Sequence, residues 1–140
     1  IICADTMVLF KNKIVGKPQN LEEAREWLMQ RIMKNDNDVF SLCGTAFILK
    51  IYEKNEKNEL ILKNIHEEYV ETKVWYGFYD ESDVNDYMEH YKERLLAIAG
   101  GFTVAGYGKQ FIHSIKGSYT NIIGLPVFEV RRAMKKLGIF

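Results

Sequence analysis

Two long β-type runs flanking a short charged stretch constrain this chain more than any other feature. Val39 to Ile51 reads VFSLCGTAFILKI and Leu60 to Ile65 reads LILKNI. Between them lies EKNEKNE, which offers no apolar face to bury. Apolar runs rich in branched and aromatic side chains fit a pleated, half-buried surface, and a solvated connection this short joins antiparallel neighbours. The middle of the chain therefore reads as a long hairpin.

The remaining elements arrange themselves around it. Residues 1–10 read as a strand that is apolar on both faces except at Asp5-Thr6. A turn at Lys11-Asn12-Lys13 leads to Ile14-Val15 and then to Gly16-Lys17-Pro18. Asn20 suits a helix N-cap, with Glu23 three residues on. The helix it starts carries Leu21, Ala24, Leu28 and Ile32 on one face and is expected to end near Lys34. Asn35 to Asp38 reads as a turn. Thr72 to Tyr79 reads as a third β segment, and Asp80 to Lys92 as a helix with the stripe Val84, Tyr87, Met88 and Tyr91. AGGFTVAGYGK must be tightly turned. Phe111, Ile112 and Ile115 bury a short element, and GSYTNIIGLP is a loop. Pro126 suits the first turn of a last helix, which buries Val127, Val130, Met134 and Leu137 and ends at Gly138. The expectation is a single α/β domain over residues 1–140, with a mixed sheet flanked by helices.

The 140 residues are 47% apolar and 27% charged, with 19 basic and 19 acidic side chains. Balanced charge argues against a nucleic-acid binder that works by bulk electrostatics. It leaves room for a small anion held by a local cluster. No apolar run approaches the ~20 residues of a membrane span. Cys3 and Cys43 both sit in apolar stretches and read as buried thiols in a reducing compartment, so a cytoplasmic setting is expected.

Several residues could carry chemistry. Asp5 is a carboxylate on an apolar strand, costly to bury unless paired or bound to metal. It could orient a water or hold a divalent ion, or simply cap a turn. Lys17, between Gly16 and Pro18, has a restricted backbone and could face a phosphate or sit free on the surface. The glycine-rich stretch is no phosphate loop, because Tyr107 follows Gly106 where such a loop has Lys. Ser118, Tyr119, Thr120 and Asn121 offer hydrogen-bonding groups in a row, as a site loop or a capping turn would. Arg131, Arg132, Lys135 and Lys136 fit a solvated helix C-terminus. His66, His90 and His113 are scattered, which argues against zinc.

Taken in order, these pieces resemble the Maf family of nucleoside triphosphate pyrophosphatases. Ala4-Asp5-Thr6 looks like the family's ADT, Gly16-Lys17-Pro18 like its GKP, and Leu21 to Arg25 like the helix after it. Val74 and Tyr76 sit where the family has a V-x-F strand, and Tyr87 where it has a helix tyrosine. Ala99 to Phe102 looks like AGxY, and Gly117-Ser118-Tyr119 through Gly124-Leu125-Pro126 like GSYxNVxGLP. The resemblance implies a Maf-like α/β fold and hydrolysis of a nucleoside triphosphate to monophosphate and pyrophosphate, with Mg²⁺ or Mn²⁺. It implies Asp5 as the water-activating base and metal ligand, and Lys17 as the phosphate-facing cation. Thr6 is similar to the subgroup acting on dTTP and UTP rather than 7-methyl-GTP. Ser118, Tyr119 and Ala105 fall at expected substrate-binding places. The alternative is an inactive nucleotide-binding or cell-division (septum-formation) regulatory remnant. A homodimer is possible by the same resemblance, and neither nucleic acid nor membrane is an expected partner. Ile98 replaces a frequent Lys, Ala105 a Gln of the base-contacting turn, and Asn37 a His. The family's Ser-x-x-Arg phosphate-binding opening has no counterpart ahead of Ile1, so the resemblance covers the later part of the family domain.

Overall fold

The computed structural model describes residues 1–33 and 40–140. The expected turn at Asn35 to Asp38, and Asn37 within it, lie outside the described residues. Five strands form one sheet: β1 (Ile2–Phe10), β2 (Lys13–Val15), β3 (Phe40–Lys54), β4 (Leu60–Tyr76) and β5 (Ile112–Lys116), in the order β2-β1-β3-β4-β5. Every ladder among them is antiparallel. The expected mixed sheet is therefore corrected to an antiparallel one. The reason is local: neighbours β1–β2 and β3–β4 are joined by tight hairpins, and such connections force antiparallel pairing.

The first hairpin has a two-residue turn. Phe10 pairs with Lys13, and Lys11 and Asn12 take φ of 49° and 62°. Positive φ at both positions matches the right-handed twist of the strands, and Asn tolerates it well. The second turn is built on Asn55, whose side chain accepts from Lys57 N–H and Glu59 N–H, each at 2.9 Å.

β4 is longer than the sequence suggests, because Leu60–Ile65 and Thr72–Tyr76 belong to one continuous strand. The charged stretch between them alternates. Glu67, Tyr69 and Glu71 are exposed, while Glu68 and Val70 are half-buried towards the helices. Charge masks a period-2 pattern that burial then reveals.

The helices are α1 (Leu21–Met29), α2 (Glu81–Tyr91), α3 (Tyr119–Ile122) and α4 (Val127–Lys136). Asn20 caps α1 through Glu23 N–H at 2.8 Å, and Asp80 caps α2 through Ser82 N–H at 2.8 Å. The first helix stops at Met29, before the expected Lys34. Pro126 is the N-cap of α4 rather than its first-turn residue, and Gly138, at φ 72°, follows its C-cap. Val127 is half exposed instead of buried; Val130 and Ala133 make the contact with Phe47 and Leu49 of β3.

All of these helices lie on one sheet face. That face carries Thr6, Val8, Ser41, Cys43, Phe47, Val74 and Tyr76, and its main core joins Val74, Tyr76 and Phe78 to Ala24, Leu28, Val84, Tyr87 and Leu95. The other face shows Met7, Ile48 and Tyr69 to solvent. Cys3 is exposed on it, which corrects the expected burial of both thiols; Cys43 alone is buried. No helix among the described residues is long and apolar enough to cross a membrane.

The glycine-rich segment folds as consecutive 3-10 turns over Ala99–Gly101 and Gly106–Phe111. At Gly108 a Cβ would fall 1.9 Å from the carbonyl oxygen of Thr103. Gly108→Ala is expected to cost about 1–3 kcal/mol by overpacking, whereas Gly16→Ala, with nothing within 4 Å of its Cβ, should stay within about 0.5 kcal/mol. Urea unfolding of the two variants checks this contrast.

Candidate functional site

A cavity of about 330 Å³ opens between the helix-covered sheet face and two loops. The strands supply its floor: Thr6 and Val8 from β1, Ser41 and Cys43 from β3, Val74 and Tyr76 from β4. One wall is Ile98, Ala99 and Phe102–Ala105, and the other is Ile122–Gly124. The lining is mostly apolar with hydroxyls at a few points, the ordinary make-up of a small-molecule site. A second depression, of about 530 Å³ between α1 and α2, lies wider open. Its charges answer one another, with Lys92 paired to Glu89 at 2.8 Å, so it reads as a solvated groove.

Two tyrosines hold the first wall. Thr103 N–H donates to the Tyr87 hydroxyl oxygen at 2.8 Å. Tyr91 Oη donates to Ala105 O at 2.9 Å and accepts from Gly108 N–H at 3.0 Å. Phe102 stacks between the rings of Tyr76 and Tyr87, at centroid distances of 3.9 and 5.3 Å. The sequence shows both tyrosines in an apolar helix stripe, and Tyr87 also at the place of the family's helix tyrosine. A buried tyrosine needs a partner for its hydroxyl, and that requirement is the signal that marks them as braces. Burial pushes the Tyr87 and Tyr76 hydroxyls well above the usual phenol range, and the Cys43 thiol up to about 11. All three stay protonated at neutral pH and act as hydrogen-bonding or packing groups.

The second wall is held by a buried polar seam. Asn121 Nδ2 donates to Cys43 O, Val70 O and Thr72 Oγ1, each at 3.1 Å. Thr72 Oγ1 donates to Ser118 O and accepts from Ser118 N–H, both at 3.0 Å. Thr45 Oγ1 donates to Asn121 O at 3.4 Å and lies 2.8 Å from Thr6 Oγ1. At Gly117, φ is 125° and a Cβ would meet Thr72 Oγ1 at 2.8 Å, so the loop's approach needs glycine.

The structure brings two of the six sequence-predicted site residues to the cavity, Thr6 and Ala105. The Thr6 hydroxyl is engaged by Thr45. Asp5 lies in the middle of β1 rather than at its end, and successive strand residues face opposite sides. Asp5 is thus exposed on the open face, with its Oδ1 accepting from Thr6 N–H at 3.0 Å. Lys17 is exposed just beyond β2. Gly16 O accepts from Gly100 N–H at 2.8 Å, which docks the Gly-Lys-Pro turn on the cavity's wall segment. Ser118 and Tyr119 do not line the cavity; Ser118 Oγ bonds Thr120 Oγ1 at 3.1 Å and Tyr119 is exposed.

Among the described residues β2 pairs only with Val8 to Phe10, and no described strand pairs with Ile2 to Met7 on that side of β1. As for metal, no three His, Cys, Asp or Glu side chains come together among the described residues. Mg²⁺ is commonly held by one or two carboxylates together with substrate phosphates. A single exposed carboxylate fits that mode and no all-protein cage.

Comparison with known proteins agrees with the order of the motifs. The family described as Maf-like protein matches residues 1–137. The dTTP/UTP pyrophosphatase of Clostridium kluyveri is 28% identical over 99% of the chain, which covers 65% of that relative. The proteins of the same name from Syntrophus aciditrophicus and Pyrococcus horikoshii are 31% and 33% identical, again over 99% of the chain and over 60% and 64% of the relative. The chain thus spans somewhat less than two thirds of the length of these relatives.

The seam sets a ranking that unfolding measurements check. Asn121→Ala removes three hydrogen bonds, to Cys43 O, Val70 O and Thr72 Oγ1, and should cost about 2–4 kcal/mol, since each bond contributes about 0.5–1.5 kcal/mol. Thr6→Val keeps the shape and leaves Thr45 its bond to Asn121 O, so about 1 kcal/mol or less is expected.

Proposed function

The chain belongs to the Maf family, and from that premise we propose that it serves a nucleoside triphosphate pyrophosphatase acting on dTTP- and UTP-like nucleotides. The base occupies the cavity beside Thr6 and Ala105, and the phosphates pass around the β1 edge towards Asp5 and Lys17. The observation that carries this reading is the placing of three motif segments. Thr6 of Ala4-Asp5-Thr6, Ala99 and Phe102 of the Ala99–Phe102 segment, and Ile122–Gly124 of the later loop all line one cavity, with Gly16 tied to Gly100 beside it. The names of the relatives supply the substrate class.

In this reading Asp5 accepts the proton of the attacking water as it approaches the α-phosphorus. Its exposed position suits it to water. Lys17 stabilises charge on the phosphate oxygens, and the Gly16–Gly100 hydrogen bond fixes the turn that carries it. Asp5 would also hold a divalent cation together with the substrate's own phosphates, and that ion would neutralise charge on the departing pyrophosphate. Thr6 shapes the cavity beside the base, its hydroxyl fixed by Thr45. Ser118 serves by holding its loop to Thr72, and Tyr119 stands exposed where a nucleotide's outer parts could reach it.

One observation favours a second reading, nucleotide binding without turnover. Asp5 and Lys17 are both exposed, and no side-chain bond orders either one towards the other among the described residues.

Product analysis separates the two. Incubation with UTP or dTTP and Mg²⁺, followed by anion-exchange chromatography, should yield the monophosphate and pyrophosphate in equal amounts. Asp5→Asn should lower turnover about 10²–10⁴-fold with UMP binding unchanged. Formation of UDP and orthophosphate would contradict the pyrophosphatase reading, and nucleotide binding with no product would favour the second.

A further inference from the structure

Arg131, Arg132, Lys135 and Lys136 do not line the cavity, and the docking of α4 decides where they point. Val130 and Ala133 turn towards Phe47 and Leu49 of β3. At 3.6 residues per turn, Phe128 and Lys135 fall on the opposite side of the helix, with Arg131 and Arg132 flanking them. All of these are exposed, and so is Lys136. Phe128 is 68% exposed. Phe140, 63% exposed, comes back to the same face, with its ring 5.4 Å from the Arg131 guanidinium. The one acid of the helix, Glu129, is half-buried.

Helix electrostatics and ion pairing leave most of this face unexplained. Cations in a last turn answer the helix dipole, which covers Lys135 and Lys136. Arg131 and Arg132 stand earlier in the helix. Of the four cations, Arg132 alone is in an ion pair among the described residues, with Glu68 of β4. The formal net charge of zero conceals this local excess. Nor does packing explain the two phenylalanines, which cover no core. The outward side of a docked helix is convex. A peptide partner is commonly held in a groove or along a sheet edge, whereas a bilayer surface conforms to a convex basic face and takes aromatic rings into its headgroup region.

We propose that the outward face of α4 docks on the surface of an anionic phospholipid bilayer. Arg131, Arg132, Lys135 and Lys136 lie against the lipid phosphates, and the rings of Phe128 and Phe140 enter the headgroup region. The charge is complementary, and four clustered cations are enough to mark a segment as one that binds anionic lipid. The two exposed rings supply the second, apolar signal that a lasting attachment to a membrane surface needs. Docking of this kind requires no membrane-spanning helix. It is independent of the nucleotide reading, because no residue of this face lines the cavity.

Co-sedimentation with lipid vesicles tests this. The chain should bind vesicles of phosphatidylcholine and phosphatidylglycerol in equal parts about tenfold or more tighter than vesicles of phosphatidylcholine alone. Raising the salt from about 0.1 M to about 1 M shortens the screening length from about 10 Å to about 3 Å and should release most of the bound chain. Arg131→Glu combined with Lys135→Glu should weaken binding about tenfold or more. Phe128→Ser should weaken it about tenfold at constant charge. These side chains stand clear of the core, so Tm should be unchanged in both variants, which shows that they are folded. Equal binding to the two kinds of vesicle, binding to neither, or unchanged binding by the folded double variant overturns the proposal. Capture by poly-glutamate beads without vesicle binding overturns it too and assigns the face to an acidic protein instead.

Discussion

The Asn121 amide is the contact on which the rest of this structure depends. Its nitrogen takes two backbone carbonyls, one from β3 and one from β4, and the hydroxyl of Thr72 as well. A carbonyl has two lone pairs, so these strand carbonyls, paired in the β3–β4 ladder, can also accept from the amide. The amide uses that spare capacity to fix the short helix α3 on the sheet. Gly117 permits the approach at one side, and the Thr6–Thr45 pair closes the seam at the other. A row of hydroxyls and one amide thus does what a hydrophobic contact could not: it sets the loop's height above the strands to a hydrogen-bond length.

The cavity follows from that height. α3 is held by the seam, and the opposite segment is held by the hydroxyls of Tyr87 and Tyr91. The space between them is lined by the apolar surface of the central strands, which no helix covers at that point. Its edge is set by chain topology. β2 is short, so among the described residues part of β1 is unpaired beside the cavity, and the Gly-Lys-Pro turn ends next to it. A bound molecule can be enclosed at one end and solvated at the other, which suits a nucleotide with an apolar ring and a charged tail. The open sheet face carries Asp5, so that carboxylate and the apolar cavity lie on opposite sides of one strand.

Much of this was legible in the residues. The central hairpin, the Asn20 cap and the order of the motifs are local signals: alternation, a capping residue, and short quoted segments. The length of β4 was hidden, because the charges between His66 and Glu71 break an apolar run while keeping its period. The site was legible in part. Thr6 and Ala105 reach the cavity, but the sequence could not show that Asp5 would face away from Thr6 unless the strand period was taken through that pair. Tyr76 and Tyr87 read as family positions and Tyr91 as part of a helix stripe, but their part in holding the cavity wall was not legible, since only burial turns a hydroxyl into a demand for a partner. Cys3 reads as buried by its neighbours and is exposed because its face of the sheet carries no described helix.

The most direct test of the account is the position of a bound monophosphate. A crystal structure of the chain with UMP should place the pyrimidine ring in the cavity between Thr6 and Phe102, with its phosphate at the β1 edge near Asp5. UMP seated in the groove between α1 and α2, or on the open sheet face, would contradict it.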